Sequence, residues 1–401
     1  MTTPLRVAVL ADYKEEGWPS MDRVADQLLA ALNRRATAGA GLVATAVCPR
    51  FVRRASRVSS GRLAVNTDRG LNRLIDYPRH ARAIAGRYDV FHVVDHSYAQ
   101  LVHYLPPDRT VVTCHDLDTF RSVLHPGDEP RSLAFRLMAQ HILKGLARAA
   151  VVACDTRSVR EQVVRHQLVP PHRVVVAPLG VSEAFAPETD SHADREAARL
   201  VAAPEDAVQL LHVGSVVPRK RIDVLLQCCG ALRREGREVH LVRVGAAFTG
   251  DQQRLLEGEG LQGHVSVLPP IDDRLLAAVY RRAALVLLPS EREGFGLPVV
   301  EALRCGTPVV ASDLAVLREV GGAGVDFCAV GHVTAWKETV ARLLSEREAH
   351  ADRWAARRAR GLLSVSGFSW AEYAATMSAI YEAVASGQAA APSAAQAVRS
   401  A

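Results

Sequence analysis

Long apolar runs are missing from this sequence of 401 residues. The first apolar run ends before Asp12, which is too short for the hydrophobic region of a secretory signal peptide. No other run approaches the roughly 18 apolar residues that indicate a transmembrane helix. We therefore expect a cytoplasmic protein.

Paired cysteines are missing as well. The seven cysteines make no C-x-x-C pair, and most of them lie in apolar runs. This pattern predicts buried thiols in a reducing compartment and excludes a disulfide or zinc framework. No D-x-D motif lies in a suitable setting, and histidines do not cluster with cysteines, so we predict no metal site. Residues 271–273, Ile-Asp-Asp, indicate the start of a helix instead.

Lysine and aromatic residues are scarce. Only four of the 49 basic residues are lysines, and aromatic residues make up 5% of the chain, few for a surface that stacks bases. Between Arg50 and Arg87 lie ten arginines but only two acidic residues, Asp68 and Asp76. Either the segment forms solvated helix faces in an arginine-biased protein, or it contacts a phosphorylated acceptor or the inner face of an anionic membrane. We expect no nucleic-acid partner.

A regular alternation of β-rich runs and helical stretches fills most of the chain. Apolar strands followed by helices are typical of a parallel sheet covered on both faces. The predicted strands are 6–11, 42–48, 89–94, 110–116, 150–155 and 173–181, then 208–215, 239–245, 265–270, 284–290, 307–312 and 324–330. The two sets predict an α/β protein with two doubly wound, Rossmann-like domains, joined by a polar linker at 182–206. Such sheets bind ligands at the carboxyl ends of their strands, which predicts an interdomain cleft as the site.

Two glutamates flank a glycine turn in the second set. Glu293 precedes Gly294-Phe295-Gly296, and Glu301 lies in the predicted helix that begins near Leu297-Pro298. The glycines allow backbone amides to approach a ligand closely, and the helix N-terminus attracts anions. Taken alone, Glu301 could simply complement the helix dipole, and Glu293 could be a solvated loop residue.

Adjacent cations follow another predicted strand of this set. Gly214 and Ser215 stand at the end of this strand (208–215), and Arg219 and Lys220 then open a helix. Cations at a helix N-terminus oppose its dipole, so an ordinary helix start is disfavoured, and this arrangement suits a diphosphate.

The string Glu-Gly-Phe-Gly-Leu-Pro-x-x-Glu, followed by Ala-Leu-x-x-Gly-x-Pro-Val-Val, closely resembles the E-x₇-E signature of family 4 glycosyltransferases, which have the two-domain GT-B fold. The resemblance implies that Glu301 binds the ribose of a nucleotide-sugar and that Glu293 holds the donor sugar. It also implies that Arg219 and Lys220, with the 294–297 amides, neutralise the leaving diphosphate in place of a metal. Gly214-Ser215 departs from the Gly-Arg of many members.

The resemblance extends to the first set of strands. His115, in a His-Asp-Leu setting at a strand end, matches the histidine that faces the donor sugar in this family, although a lone histidine there is often structural. Gly17 is the single glycine of a loop that approaches the diphosphate. The acceptor-side candidates are Trp18, Asp95, His96 and Asp116.

The resemblance therefore implies a retaining, metal-independent hexosyltransferase without a cofactor, which uses a UDP- or GDP-sugar and a glycan, glycolipid or small-molecule acceptor. The alternatives are a nucleotide-sugar 2-epimerase of the same fold and a non-catalytic nucleotide-sugar-binding protein. The predicted parts are an acceptor-binding domain (1–183), a nucleotide-sugar-binding domain (184–368), a helix that packs back on the first domain (369–386) and a disordered tail (387–401).

Overall fold

The computed structural model describes residues 3–37, 39, 41–204 and 206–388. The chain divides into two compact units. Unit 1 comprises Met1–Gly180 and Trp370–Ala401, and unit 2 comprises Val181–Ser369. The part of the predicted tail from residue 389 onward lies outside the described residues.

Unit 1 contains a six-stranded sheet in which every neighbouring pair is parallel. Its strands are β1 (Leu5–Leu10), β2 (Leu42–Val47), β3 (Val90–Val93), β4 (Thr110–Cys114), β5 (Val151–Cys154) and β6 (Val174–Val176). The spatial order is β2-β1-β3-β4-β5-β6. The strand order therefore reverses at β1 and β3, and in such sheets ligands bind beyond the carboxyl ends of the strands at that point.

Unit 2 repeats this architecture with a second parallel sheet. Its strands are β7 (Val208–Val213), β8 (Val239–Val244), β9 (Val265–Leu268), β10 (Leu285–Leu288), β11 (Val309–Ser312) and β12 (Val325–Cys328). The order β12-β11-β10-β7-β8-β9 reverses between β7 and β10. The predicted α/β class with two Rossmann-like sheets is confirmed.

Helices connect the strands and cover the sheets. They are α1 (Pro19–Thr37), α2 (Arg62–Leu71), α3 (Tyr77–Ile84), α4 (Arg121–Leu124), α5 (Leu133–Arg148), α6 (Arg157–Arg165), α7 (Ser191–Val201), α8 (Ile222–Arg234), α9 (Gly250–Gly258), α10 (Asp273–Arg282), α11 (Leu297–Arg304), α12 (Ala315–Gly321), α13 (Val333–Ala349), α14 (Ala351–Ser364) and α15 (Trp370–Ala385). In unit 2, α8 and α13 bury Leu225, Leu226, Trp336 and Leu343 against the sheet.

The predicted linker at 182–206 is wrong. Its middle forms α7, whose buried face consists of Ala193, Ala197 and Val201. This helix packs against α10, and Arg281 Nη2 lies 2.7 Å from Asp194 Oδ1. Small apolar residues at helical spacing bury α7 although most of its residues are polar, which is why composition alone suggested a linker.

Several helix starts are fixed by a capping side chain or by a proline. Helix α6 is capped by Thr156, whose hydroxyl accepts a hydrogen bond from Val159 N at 3.1 Å. Helix α1 begins at Pro19, and proline is favoured at the first position of a helix. A π-helical turn, Asn72–Asp76, joins α2 to α3 just before Pro78. Asp272 caps α10, as predicted.

The basic segment Arg50–Arg87 uses its acidic residues internally. Buried Asp68 accepts hydrogen bonds from the backbone amides of residues 54, 55 and 56, and Arg54 forms a two-bonded pair with Asp76. Arg57 and Arg62 are exposed, beside the exposed side chains of Val58 and Leu63. Contact of this surface with an anionic membrane stays a prediction. Across the described residues, every helix is too short or too polar to span a bilayer.

Helix α15 belongs to unit 1 although it follows unit 2 in the sequence. Tyr381 Oη lies 2.8 Å from His92 Nδ1 on β3, and Tyr373 Oη lies 3.5 Å from Thr113 Oγ1 on β4. Both tyrosines are buried. The last helix therefore completes the polar and apolar packing of the first sheet.

Candidate active site

The candidate donor site of unit 2 lies where its strand order reverses. The segment 214–220 follows β7, and the segment 289–296 follows β10. Because β7 and β10 are parallel neighbours, both segments leave the same edge of the sheet. They are joined by a backbone hydrogen bond of 2.7 Å from Glu291 N to Arg219 O. The fold thus brings together two motifs that lie 73 residues apart in sequence.

Lys220 and Glu293 form a buried ion pair at this edge. Lys220 Nζ lies 2.6 Å from Glu293 Oε1, and Arg219 Nη1 lies 3.6 Å from Glu293 Oε2. Arg219 also donates to the carbonyl of Arg292 at 2.8 Å. Burial would raise the pKa of Glu293, but the charges of Lys220 and Arg219 hold it below its usual value. The site therefore concentrates two cations around one ionised carboxylate.

Glu301 is the fifth residue of α11 and is buried. Its Oε2 accepts a hydrogen bond of 2.8 Å from the hydroxyl of Tyr280, on α10. The sequence indicated Glu301 but not Tyr280, since the two lie on different helices. The Tyr280 hydroxyl orients the carboxylate of Glu301.

The glycine turn before α11 has a steric requirement for glycine. Gly296 has φ of +89°, and a Cβ there would lie 2.6 Å from Leu317 Cδ2. The neighbouring Phe295 side chain is buried against Phe368, with ring centroids 5.4 Å apart. What this turn can offer a ligand is therefore its backbone, at the amino end of Leu297–Arg304, where a helix attracts anions.

Two buried polar residues beside Gly214 were missed by the sequence analysis. His212 on β7 and Arg243 on β8 are paired in register, and both are fully buried. Burial, followed by the charges of Arg243 and Lys220, lowers the pKa of His212 well below its ordinary value. From the sequence, both residues are expected to be ordinary members of a buried strand. Only the tertiary structure shows that their side chains contact Gly214.

His115 lies at the carboxyl end of β4 in unit 1 and is held on both sides. Its Nδ1 lies 2.6 Å from Asp155 Oδ2, and its Nε2 lies 2.8 Å from the carbonyl of Val94. Burial disfavours the charged ring, but Asp155 outweighs it and raises the pKa of His115 to about 9. A doubly protonated ring satisfies both contacts, because each partner is an acceptor.

Three of the four predicted acceptor-side residues, Asp95, His96 and Asp116, form a second cluster at this edge of the first sheet. His96 Nδ1 lies 3.2 Å from Asp95 Oδ1, and its Nε2 lies 3.5 Å from Asp116 Oδ1. Burial opposes the charge of His96, but Cys114, Asp116 and Asp95 together raise its pKa to about 9. Asp95 also caps the following turn through Ser97 N at 2.8 Å. The cluster offers a polar, largely buried surface suited to hydroxyl groups.

Asp12, directly after β1, belongs to this cluster and was not singled out from the sequence. It is 4% exposed, and among the described residues neither carboxyl oxygen has a hydrogen-bond donor. Burial and the nearby charge of Asp95 raise its pKa well above the ordinary value. In the loop that follows, Gly17 has φ of +74° and Trp18 is 57% exposed. Across the described part of the chain, neither Gly17 nor Trp18 forms a hydrogen bond or an ion pair with Asp12 or with the cluster of Asp95, His96 and Asp116.

The described residues contain no group of three or more histidine, cysteine, aspartate or glutamate side chains placed to hold a metal ion. Six of the seven cysteines are buried as free thiols, and Cys48 is exposed.

Two family models match the chain, one in each half. Residues 23–185 match Glycosyltransferase Family 4, and residues 194–360 match Glycosyl transferases group 1. The chain is 33% identical to a D-inositol 3-phosphate glycosyltransferase of Geodermatophilus obscurus over 334 residues. That alignment covers 76% of this chain and 69% of the relative.

Solved structures with the same fold extend over nearly the whole chain. Sucrose-phosphate synthase from Thermosynechococcus elongatus has a TM-score of 0.74 at 20% identity, and the match covers 96% of this chain and 100% of that one. The Anabaena protein HepE in complex with UDP-glucose has a TM-score of 0.69 at 15% identity, with 94% and 100% covered. The chain therefore belongs to glycosyltransferase family 4, a family of transferases, and has the GT-B fold.

Proposed function

We propose that this glycosyltransferase moves a hexose from a UDP- or GDP-sugar to an acceptor hydroxyl, with retention of the anomeric configuration and without a metal. The observation that carries the proposal is the ion-paired group of Arg219, Lys220 and Glu293 on the two segments that follow β7 and β10, with buried Glu301 on α11, the helix that follows the second segment. Cations and helix amides suit a diphosphate, and the two carboxylates suit sugar hydroxyls. The UDP-glucose complex of HepE, a protein of the same fold, supports a nucleotide-sugar donor.

In the proposed reaction, the diphosphate departs toward Lys220, Arg219 and the amides of residues 294–297. These groups stabilise the charge that develops on the leaving phosphate, which is usually the largest contribution in such a transfer. The acceptor hydroxyl attacks the same face of the sugar, and its proton passes to the leaving phosphate. The bond to the acceptor oxygen thus forms as the bond to the phosphate oxygen breaks.

The residues of unit 1 are assigned to the acceptor. Asp95, His96 and Asp116 supply hydrogen-bonding groups for acceptor hydroxyls, and Asp12 adds a buried carboxyl. His115 remains a predicted catalytic residue. Its contacts with Asp155 and Val94 support a role in holding the strand ends together. The positive charge of its ring then acts on the neighbouring cluster of Asp95, His96 and Asp116.

The donor is tested by a thermal-shift panel of UDP-, GDP-, ADP- and dTDP-sugars. We expect one base to raise the unfolding temperature, and the rise to be reproduced by the free nucleoside diphosphate, because the diphosphate and ribose contacts dominate binding. D-inositol 3-phosphate is the first acceptor to assay, given the name of the curated relative. If none of the four nucleotide classes shifts the transition, the proposed function is wrong.

Glu293→Gln separates sugar binding from diphosphate binding. We expect free nucleoside diphosphate to bind more tightly by about tenfold, or about 1.4 kcal/mol, because Lys220 loses its competing carboxylate. The nucleotide-sugar should gain less or lose affinity, since its hydroxyls lose an acceptor. Calorimetric titration with both ligands measures the difference.

The wild-type protein should show no covalent glycosyl adduct by intact mass during turnover. An adduct mapped to Glu293 would instead make this residue a nucleophile and overturn its assignment to sugar binding.

A further inference from the structure

Arg243 is an unusual residue for its position. It occupies the fifth place of β8, in the interior of the second sheet, and its side chain is fully buried. Burial lowers the pKa of Arg243 to about 10, so the guanidinium is still charged at neutral pH. Arginine is almost never fully buried unless it is paired.

The partners of Arg243 do not neutralise it. Its Nη2 donates a hydrogen bond of 2.8 Å to the carbonyl of Gly214, and its Cζ lies 5.1 Å from the centre of the Phe248 ring. Among the described residues, Nε and Nη1 have no hydrogen-bond partner, and no carboxylate forms an ion pair with this guanidinium. A buried charge without a counter-ion costs several kcal/mol, so its presence requires an explanation.

The position of Arg243 relative to the donor site supplies one. A Cβ on Gly245 would lie 2.2 Å from Gly214 O and 3.1 Å from Arg243 Nη2, so Gly245 allows the guanidinium and this carbonyl to meet. A Cβ on Gly214 itself would lie 3.9 Å from Lys220 Cε. Gly214, at the start of the segment 214–220, is therefore adjacent to two cations, Arg243 and Lys220.

Within the described part of unit 2, no carboxylate forms an ion pair that would compensate the charge of Arg243. His212, opposite Arg243 in the β7–β8 register, is neutral at physiological pH because its pKa is strongly lowered. Glu293 is occupied by Lys220 and Arg219. The positive charge of Arg243 therefore acts on the 214–220 segment without local neutralisation, and a low-dielectric surrounding strengthens it.

We propose that Arg243 is a positioning residue of the donor site, which holds the carbonyl of Gly214 and makes the 214–220 segment selective for ligands with a full diphosphate. The inference rests on the proposed function, since it assigns the diphosphate to this segment. Arg243 need not touch the ligand. Its hydrogen bond fixes the position of the Gly214 carbonyl, and the field of its charge extends over the 214–220 segment.

The test compares Arg243→Met with the wild type, using UDP and UMP as probes and GDP and GMP in parallel. For the base that binds, we expect the variant to lose affinity for the diphosphate by about tenfold, which is about 1.4 kcal/mol. Affinity for the monophosphate should fall by less than about threefold, because fewer phosphate charges experience the lost field. Arg243→Lys, which keeps the charge, should preserve most of the discrimination between diphosphate and monophosphate.

Arg233→Met is the matched control. Arg233 is also largely buried in unit 2 and donates to a backbone carbonyl, that of Val239 at 3.2 Å, but it lies at the end of α8 and not beside Gly214. This control should leave the ratio of the two affinities unchanged. A folded Arg243→Met protein with an unchanged ratio would overturn the inference while leaving the proposed function intact.

A wild-type measurement covers the case in which Arg243→Met does not fold. The Nε–H signal of Arg243 in an NMR spectrum, assigned through its loss in Arg243→Lys, should shift on addition of the diphosphate and much less on addition of the monophosphate. Equal shifts with both nucleotides would contradict the inference. If the wild-type protein bound no nucleoside diphosphate at all, the proposed function and this inference would both fail.

Discussion

Replacing Lys220 by methionine is expected to weaken binding of the donor nucleoside diphosphate by roughly 10- to 150-fold, which corresponds to a lost charged hydrogen bond of about 1.5–3 kcal/mol. The transfer rate should fall further, by about 10²–10³, because the same ammonium stabilises the charge that grows on the leaving phosphate. Calorimetry with UDP or GDP measures the first effect, and release of the nucleoside diphosphate during turnover measures the second.

The same substitution has a predictable effect on stability. Glu293, 2.6 Å from Lys220 Nζ, would remain buried with Arg219 alone, 3.6 Å away. We expect a loss of about 3 kcal/mol in the free energy of unfolding, the lower end of the range for breaking a buried pair. Lys220→Met/Glu293→Gln should recover most of this stability but not the catalytic rate.

The double variant therefore separates the two roles of Lys220. If it restored both stability and transfer, the ammonium would be a structural partner of Glu293 and not a group that stabilises the leaving diphosphate.

Replacing Glu301 by glutamine is expected to reduce affinity for the donor nucleotide by roughly 10- to 150-fold, since one charged hydrogen bond to a ribose hydroxyl is worth about 1.5–3 kcal/mol. The loss should depend on the ligand. For the 2′-deoxy nucleotide, which lacks one of the hydroxyls, wild type and Glu301→Gln should differ much less. Dissociation constants for both proteins with both ligands form a thermodynamic cycle, which isolates the interaction between Glu301 and the 2′-hydroxyl.

Tyr280→Phe is the companion variant, because the Tyr280 hydroxyl lies 2.8 Å from Glu301 Oε2 and orients the carboxylate. We expect the affinity of this variant for the donor nucleotide to fall by about tenfold or less, because the Tyr280 hydroxyl is a neutral donor that acts through Glu301. Glu338→Gln, on α13, is the control for a lost carboxylate elsewhere in unit 2. Equal losses for the ribo- and 2′-deoxy nucleotides would contradict the assignment of Glu301 to the ribose.

The family and the fold class could be predicted from the sequence because both depend on local patterns. The β-rich runs mark the strands, and the string from Glu293 to Glu301 is contiguous. The Lys220–Glu293 pair could not be predicted, because it depends on β7 and β10 being neighbours in the sheet. The local sequence of either segment does not determine the order of the strands. Both residues are expected at strand ends from their local sequence, but nothing in that sequence indicates that they neutralise each other.

Buried polar residues mark the limit of the sequence-based approach for a different reason. Arg243 and His212 lie in mainly apolar strands, and the sequence of such a strand does not show which groups its polar side chains contact. Tyr280 resembles any aromatic residue on the buried face of a helix. Likewise, the polar composition of α7 outweighed its three small buried residues, so the segment was predicted as a linker. In each case the decisive contact comes from a distant part of the chain.

The placement of α15 has a consequence for synthesis of the protein on the ribosome. Unit 2 is complete once Ser369 has emerged, whereas the first sheet must wait for the helix that follows. Until then, the β3 and β4 surface that receives Tyr373 and Tyr381 is uncovered. A nascent chain would thus finish its later-encoded unit first, and a transcript truncated before codon 370 would yield a complete second unit beside an unfinished first one.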